Sequence, residues 1–416
     1  MVDADMPSNG DGPSPSFLSS LAGLIPRQWT AGELGSLPIL IGLAVIAAIF
    51  QTANHHFLSP LNLTNLVVQI SAIGTISVGV VLVLLIGEID LSVGAVSGLT
   101  AGVMAVLAVK VGWPGPLAVL AGILAGAGIG LIQGAWFAKI HVPSFVVTLA
   151  GYLGWQGALL YVLGNTGTIN LNDPFIVGLS NTRMPVWFGW TLASVVLVIF
   201  VWRLLADRSR RASLGLGVPS GLSITGRTVI VALAALGSVA LMSVNRNPVA
   251  NGTPIRGVPT AIVALLAFVI AFDLILRRTR FGRAVFAVGG NVEAARRAGI
   301  NVDRLRIIIF MLCSSLAATG GILAGSRLLA VNQSSGSGDV LLNAIAAAVI
   351  GGTSLFGGRG STWSALLGAL VIGSISNGMD LLAFASSVKF MVTGAVLLLA
   401  VTVDALGHSR REQSGT

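Results

Sequence analysis

Apolar runs of about twenty residues recur along almost the whole sequence, separated by short polar stretches. A hydrocarbon core of ~30 Å needs ~20 apolar residues in a helix, and a backbone in lipid must satisfy its own hydrogen bonds. Runs of this length therefore point to membrane-spanning helices. They lie near 37–53, 64–86, 91–110, 116–138, 144–164, 185–203, 227–245, 258–276, 306–328, 340–356, 362–383 and 387–406. Only 9% of the residues are charged and 54% are hydrophobic. Soluble domains carry about 25% charged residues, so a water-soluble fold would lack polar cover. The expected fold class is an all-α polytopic membrane protein with about twelve transmembrane helices, within a range of ten to fourteen.

Prolines support the early divisions. Pro60, Pro114, Pro116, Pro143, Pro185, Pro219 and Pro259 fall at or near proposed boundaries, where a missing N–H does least harm. No proline follows Pro259, so the last four spans rest on hydropathy alone. The connections 87–91 and 356–361 are short enough to be buried or re-entrant. Trp113, Trp187, Trp190, Trp202 and Trp363 sit near boundaries and read as interfacial anchors.

Charge then orients the spans. With the N-terminus in the cytoplasm and strict alternation, 18 of the 24 basic residues fall inside and 6 outside. The opposite orientation inverts the split, against the tendency of Lys and Arg to stay cytoplasmic. The outer six are Lys110, Arg183, Arg246, Arg256, Arg327 and Lys389. This scheme makes residues 1–36 a cytoplasmic tail and 37–406 the membrane domain. It places a charged cytoplasmic loop at 277–306 and makes 407–416 a cytoplasmic tail. The short apolar run near the start lacks a basic segment before it and a small-residue cleavage site after it, so it does not read as a signal peptide. The net charge of +9 is spread between apolar spans and forms no basic surface suited to nucleic acid.

Within the charged loop one helix is specified in full. Asn291 is a good N-cap and Glu293 lies in the first turn, where the helix dipole favours an anion. Arg296 and Arg297 occupy the last turn, and Gly299 suits the left-handed position that closes a helix before Ile300. Ala294 and Ala295 give it a smooth face. A capped helix in a water-facing loop of a membrane protein is expected to meet a soluble partner.

Two connections resemble each other. Residues 86–94 (IGEIDLSVG) and 350–358 (IGGTSLFGG) share Ile86/Ile350, Gly87/Gly351, Leu91/Leu355 and Gly94/Gly358 at equal offsets, each after a span running inward. Internal repeats are common in transporters and often surround the substrate route.

Few residues could carry chemistry. Glu88 and Asp90 lie between two strongly apolar spans, where a stranded charge is costly and usually functional. Asp90 with Ser92 could equally cap the helix that follows. Asp339 and Asn343 begin the tenth span, and Asn343, Asn332 and Gln333 could hydrogen-bond a polyhydroxylated solute or simply face water. Asp273 precedes Arg277 by four residues, an ordinary helix pair. His55, His56, His141 and His408 show no metal-ligand spacing, and Cys313 is the single cysteine. There is no G-x-x-x-x-G-K-[ST] loop to cradle ATP, no nucleophile–base constellation, no chain of acids for a proton relay and no Arg-rich span. No catalytic residue, metal or cofactor is assigned to this chain.

Four stretches together resemble the permease subunit of bacterial ABC sugar importers of the ribose/xylose class. They are 85–94 (LIGEIDLSVG), Phe281-Gly282-Arg283 leading into Gly289, Gly290, Asn291 and the helix to Ile300, 344–358 around Thr353 and Ser354, and the closing Asn377-Gly378 with Leu381-Leu382. The resemblance covers roughly 57–170 and 258–405. The extra spans near 185–250, and Leu341 and Asn343 where ribose-type members commonly carry acids, place the chain nearer the xylose branch. The resemblance implies that residues 290–300 form a coupling helix docking on a separate cytoplasmic ATPase, which would hold the ATP and Mg. It also implies a periplasmic sugar-binding protein, a second permease chain forming a homodimer, and a monosaccharide such as D-xylose crossing the bacterial inner membrane. ATP-driven closure of the ATPase pair would then shift the bundle between inward- and outward-facing states. Glu88, Asp90, Ser92, Asn343, Thr353 and Ser354 are the pathway candidates. The rival readings are an ion-coupled secondary transporter, with Glu88 and Asp90 as its only ion site, and an intramembrane enzyme.

Overall fold

The computed structural model describes residues 37–216, 221–247 and 252–414. The N-terminal tail expected over 1–36 and the boundary at Pro219 lie outside the described residues. Each apolar run of the sequence coincides with a helix. In chain order these are α1 (Leu37–Ala53), α2 (Pro60–Leu85), α3 (Val93–Ala105), α4 (Gly115–Ile140), α5 (Ser144–Leu163), α7 (Val186–Ser213), α8 (Gly221–Ser243), α9 (Thr260–Arg278), α12 (Val302–Leu328), α13 (Gly338–Ile350), α14 (Thr362–Leu381) and α15 (Ser386–Ser414). Among the described residues nine helices are long and apolar enough to cross a bilayer. Three more, Pro38–Ala53, Asp339–Ile350 and Ser386–Thr402, are apolar but shorter. These nine and the three shorter helices together correspond to the twelve apolar runs of the sequence. The last helix continues through Ser414, so the segment expected as a C-terminal tail begins as helix.

The starts follow local chemistry. Ser59 caps α2 by accepting from the Asn62 N–H, with Pro60 as the first helical residue. Pro114, Pro143, Pro185 and Pro259 stand immediately before α4, α5, α7 and α9.

The core is formed by α2, α3 and α12, with α4 packed along α12. Buried side chains run from Val78 to Ile86 on α2 and its end, through Val93, Val96 and Met104 on α3, to Ile309, Phe310 and Leu316 on α12. Lipid supplies no hydrophobic drive between helices, so close backbone approach and dispersion hold such a centre together. At the contact of α3 with α12, a Cβ on Gly321 would stand 2.0 Å from the Ser97 carbonyl oxygen, which leaves room for glycine alone. The outer helices present their apolar side chains outward: Leu124 on α4, Leu153 on α5, Val198 on α7 and Leu233 on α8 are all exposed. A ring of this kind is suited to lipid. The middle pair α7 and α8 pack chiefly on each other and touch α2 only lightly.

The connections gather at two ends. At one end, residues 86–92, the loop 279–301 and residues 351–361 meet, with the Gly358 N–H donating to the Leu85 carbonyl. At the other end a short ribbon pairs β1 (Thr168–Asn170) antiparallel with β2 (Ala330–Asn332). There too Arg183 bridges Pro259, the Lys110 Nζ donates to the Leu163 carbonyl and the Asn54 amide donates to the Leu381 carbonyl.

Three elements were not foreseen. α6 (Pro174–Asn181) is a short outer helix whose cap, Asp173, accepts from the Phe175 and Ile176 N–H groups. α10 (Arg280–Gly290) precedes the expected coupling helix, α11 (Val292–Arg297). The β1–β2 ribbon joins two outer loops.

Candidate coupling and translocation site

The helix α11 forms as its sequence dictates. The Asn291 Oδ1 accepts from the Ala294 N–H at 2.8 Å, and Arg296 pairs with Glu293 at 3.0 Å. Gly299 takes φ +84°. The Gly299 N–H then bonds the Arg296 carbonyl and the Ile300 N–H bonds the Ala295 carbonyl, which is the Schellman closure. Asn291, Glu293, Ala294, Arg296, Arg297, Ala298 and Gly299 are exposed. Ala295 is not: it is 4% exposed and packs into the chain's own core. The smooth alanine face expected to meet a partner is therefore split. Ala295 anchors the helix, and Ala294 belongs to the outward face.

The helix is held against the bundle through glycine contacts. A Cβ on Gly289 would lie 1.8 Å from the Leu85 carbonyl oxygen and 2.6 Å from the Gly358 nitrogen. Gly87, Gly357 and Gly358 all take positive φ, and a Cβ on Gly357 would approach Gly87 and the Gly289 oxygen to about 3 Å. The two similar connections, 86–94 and 350–358, thus lie side by side, and the end of α10 closes over both. Beneath α10, Val285 and Val288 are buried on one face. The three-residue spacing of Gly282, Val285 and Val288 is a signal in the sequence that could have found this helix and was not used.

Glu88 and Asp90 occupy the first of these connections but face different partners. Glu88 pairs with Arg306 of α12 at 2.9 Å, both side chains being more than four-fifths buried. The Arg306 guanidinium also lies over the Phe137 ring, 4.6 Å from its centroid, a cation–π contact. Burial pushes the Glu88 carboxyl above its ordinary value of 4.5, and the Ser144 hydroxyl and Arg306 pull it only partly back. Asp90 is buried, and its Oδ1 accepts from the Ser92 N–H at 2.8 Å and the Ser92 hydroxyl at 2.6 Å. Its Oδ2 makes no hydrogen bond, and the Cys313 thiol lies beside the carboxyl. Burial raises its pKa too, against the pull of Ser92. Asp90 therefore folds the turn ahead of α3 rather than capping the helix itself; Ser92 is the capping position.

Ser92 also reaches the Gln133 Oε1 at 3.1 Å. One hydroxyl hydrogen cannot serve both acceptors, and the charged one at 2.6 Å takes it. The Gln133 NH₂ and the Trp155 N–H are buried without acceptors and both border Gly151.

The remaining candidates divide. Thr353 and Ser354 are buried in the second connection, where the Ser354 N–H bonds the Arg359 carbonyl and the Ser354 hydroxyl accepts from the Phe356 N–H. Asn343 lies on the outer half of α13, away from these residues, on a cavity of about 400 Å³ between α2, α12, α13, α14 and α15. Asn332 lines an adjoining cavity, about 330 Å³, which shares Asp339 and Val340 with the first. Glu88, Asp90, Ser92, Thr353 and Ser354 are therefore grouped at the end that carries α11, and Asn343 is not.

Residues 62–401 match the family model described as "Branched-chain amino acid transport system / permease component". The chain is 37% identical over 379 residues to the xylose transport system permease protein XylH of Escherichia coli K12, covering 90% of this chain and 93% of that one. The Haemophilus influenzae XylH is also 37% identical, over 368 residues, 88% of this chain and 95% of that one. The ribose import permease protein RbsC of Escherichia coli K12 is 32% identical over 378 residues, 91% and 96% respectively. No solved structure matches the chain.

Proposed function

The chain belongs to the branched-chain amino acid transport system / permease component family, and on that premise we propose that it is the membrane-spanning subunit of an ATP-binding cassette importer for D-xylose. The observation that carries the sugar reading is the 37% identity to xylose permeases across 90% of the chain, above the 32% to ribose permeases. The extra α7–α8 pair agrees with the features that set the chain apart from the ribose pattern.

In this reading Gly289, Gly290, Asn291, Glu293, Ala294, Arg296, Gly299 and Ile300 form the coupling segment, with Ala295 seating it. The exposed face of α11 docks on a cytoplasmic ATPase that holds ATP and Mg. A periplasmic sugar-binding protein delivers the monosaccharide to the opposite end, and two copies of the chain form one pathway in the lipid of a bacterial inner membrane. Both termini are cytoplasmic. Glu88, Asp90, Ser92, Thr353 and Ser354 hold the inner closure, where α11 can act on it through the Gly289 contact. A neutral sugar needs no buried counter-charge, which suits a bundle with so few internal ions.

The test is uptake into liposomes. The chain reconstituted with its ATPase and binding protein is expected to import D-xylose only with internal or external ATP supplied to the ATPase side. Uptake by the chain alone on an ion gradient would overturn this reading in favour of secondary transport. ATP-driven uptake of ribose or of leucine in place of xylose would reassign the cargo.

A further inference from the structure

We propose that Arg183, Arg246 and Arg256, which converge where α7, α8 and α9 meet at the end opposite α11, form a site for the phosphate of an anionic phospholipid. The bound lipid fastens the peripheral α7–α8 pair to the rest of the bundle.

The three arginines gather around one stretch of backbone. Arg183 bridges Pro259 in antiparallel fashion, and the Met184 N–H donates to the Val258 carbonyl. A Cβ on Gly257 would lie 3.8 Å from the Arg183 Cβ, and Arg256 is the residue before that glycine. Arg246 reaches the same stretch from the end of α8. Its Nη2 donates to the Gly257 carbonyl at 3.0 Å and its Nη1 to the Met242 carbonyl. Arg246 is buried, whereas Arg183 and Arg256 are exposed. Among the described residues none of the three pairs with a carboxylate, and the partners of Arg246 are carbonyl oxygens alone. Burial and the nearby charge of Arg183 both lower the Arg246 pKa from its ordinary 12.5, so the cluster lacks an anion. The other cations of this end are occupied. Lys389 pairs with Asp380, whose charge also acts on Arg327, and Lys110 donates to the Leu163 carbonyl. In the orientation that charge favours, this end is the outer one, where short loops hold few cations. Three together without an acid call for an anion from outside the chain.

Their depth selects that anion. Arg183 lies three residues before the span Val186–Ser213, Arg246 three after the span Ile224–Ser243 and Arg256 four before the span Thr260–Arg278. All three therefore stand at the level of lipid headgroups. Trp187 and Trp190 on the first turns of α7 are exposed, as are Leu241 and Val244 beside Arg246, so the patch borders a lipid-facing surface rimmed by tryptophan. Guanidinium groups bind phosphate through paired N–H donors. The same place is where the α7–α8 pair needs support, since its two helices pack chiefly on each other. A phosphate shared by Arg183 ahead of α7 and Arg256 ahead of α9 joins the pair to the bundle and offsets the charge of Arg246 beneath.

The test places the full chain in nanodiscs of phosphatidylcholine with and without phosphatidylglycerol. Thermal melting is measured in each, and retained lipid is read by native mass spectrometry. The wild type is expected to melt higher with phosphatidylglycerol and to retain it. The double variant Arg183→Gln, Arg256→Gln spares Arg246 and the backbone bridge. In phosphatidylcholine alone it is expected to melt at or above the wild type, because repulsion among like charges is relieved. It is expected to lose most of the gain from phosphatidylglycerol and to hold that lipid about fivefold more weakly for each arginine removed. A variant that melts lower in both lipids would overturn the site, the arginines then being structural. So would a gain from phosphatidylglycerol that is absent in the wild type or equal in the two proteins. If inorganic phosphate raised wild-type melting in phosphatidylcholine as much as phosphatidylglycerol does, a free ion and not a lipid would be the occupant. If the variant kept its phosphatidylglycerol dependence but its assembled importer lost stimulation by the binding protein, the patch would belong to an acidic protein surface and the lipid site would fall.

Discussion

Gly289 meets Leu85 backbone to backbone: a Cβ on the glycine would stand 1.8 Å from the leucine carbonyl oxygen, which also accepts the Gly358 N–H at 2.9 Å. Three segments distant in sequence therefore share one point. The end of α2, the end of α10 and the turn before α14 cannot move independently there. In the proposed reading, a push on α11 would reach both similar connections through this contact without any long chain of side chains.

Gly289→Ala tests the contact directly. Overpacking of this kind costs about 1–3 kcal/mol, because backbone rather than a flexible side chain must give way. The chain is expected to melt lower in detergent. ATPase activity of the assembled importer is expected to lose its stimulation by sugar-loaded binding protein. Normal melting with normal stimulation would show that the three segments separate freely.

Ala294 and Ala295 are adjacent but face opposite ways, so bulk at each should have a different effect. Ala294→Tyr adds volume on the exposed face of α11 and is expected to weaken co-purification of the ATPase with little change in melting. Ala295→Tyr adds it where the side chain is 4% exposed and is expected to cost about 1–3 kcal/mol of stability. Equal effects of the two substitutions on folding and docking would contradict the split face.

That split marks how far the sequence could be read. The cap at Asn291, the closure at Gly299 and the positions of all the apolar helices were legible, because capping and hydrophobic length are local properties. The similarity of 86–94 to 350–358 was visible too, but not that the loops touch. Which alanine of α11 faces inward depends on α10 and α12, and sequence periodicity over six residues cannot fix it. Glu88 and Asp90 looked like one acidic pair. The fold sends the first to Arg306, 218 residues away, and the second to its neighbour Ser92. Asn343 was grouped with Glu88, Asp90, Ser92, Thr353 and Ser354 as a pathway candidate; that it lies on the outer half of α13, apart from the other five, depends on how the helices pack.

Asp90 should give an unusual dependence of stability on pH. Burial raises its pKa in the folded chain above the ordinary 3.8, so the folded state holds the proton more tightly than the unfolded state. Its contribution is therefore most favourable at low pH and is lost as pH rises from about 3.8 through the raised folded value. Asp90→Asn keeps the acceptor for Ser92 but removes the buried charge. At pH 7.5 the variant is expected to melt at or above the wild type, with the difference shrinking as pH falls toward 4. Melting temperatures that run parallel across that range would show that the carboxyl pays no penalty for burial.

The Glu88–Arg306 pair ties the first connection to α12, and its worth can be isolated by a double-mutant cycle. Both side chains are largely buried, at 15% and 18% exposure, so the pair lies between a surface ion pair and a fully buried one. Glu88→Gln leaves Arg306 charged over Phe137 with no anion and is expected to cost about 1–3 kcal/mol. Arg306→Met leaves Glu88 without its cation, and because burial already raises that carboxyl's pKa, the residue can take up a proton instead of staying charged. The Arg306 change should therefore cost less at pH 5.5 than at pH 7.5, and the Glu88 change should not show that relief. The double variant is expected to be more stable than the sum of the single losses predicts, with a coupling of about 1–2 kcal/mol, measured by melting at both pH values. Strict additivity at neutral pH would mean that the two charges are satisfied separately, Glu88 by Ser144 and Arg306 by Phe137, and that the connection is held to α12 by packing alone.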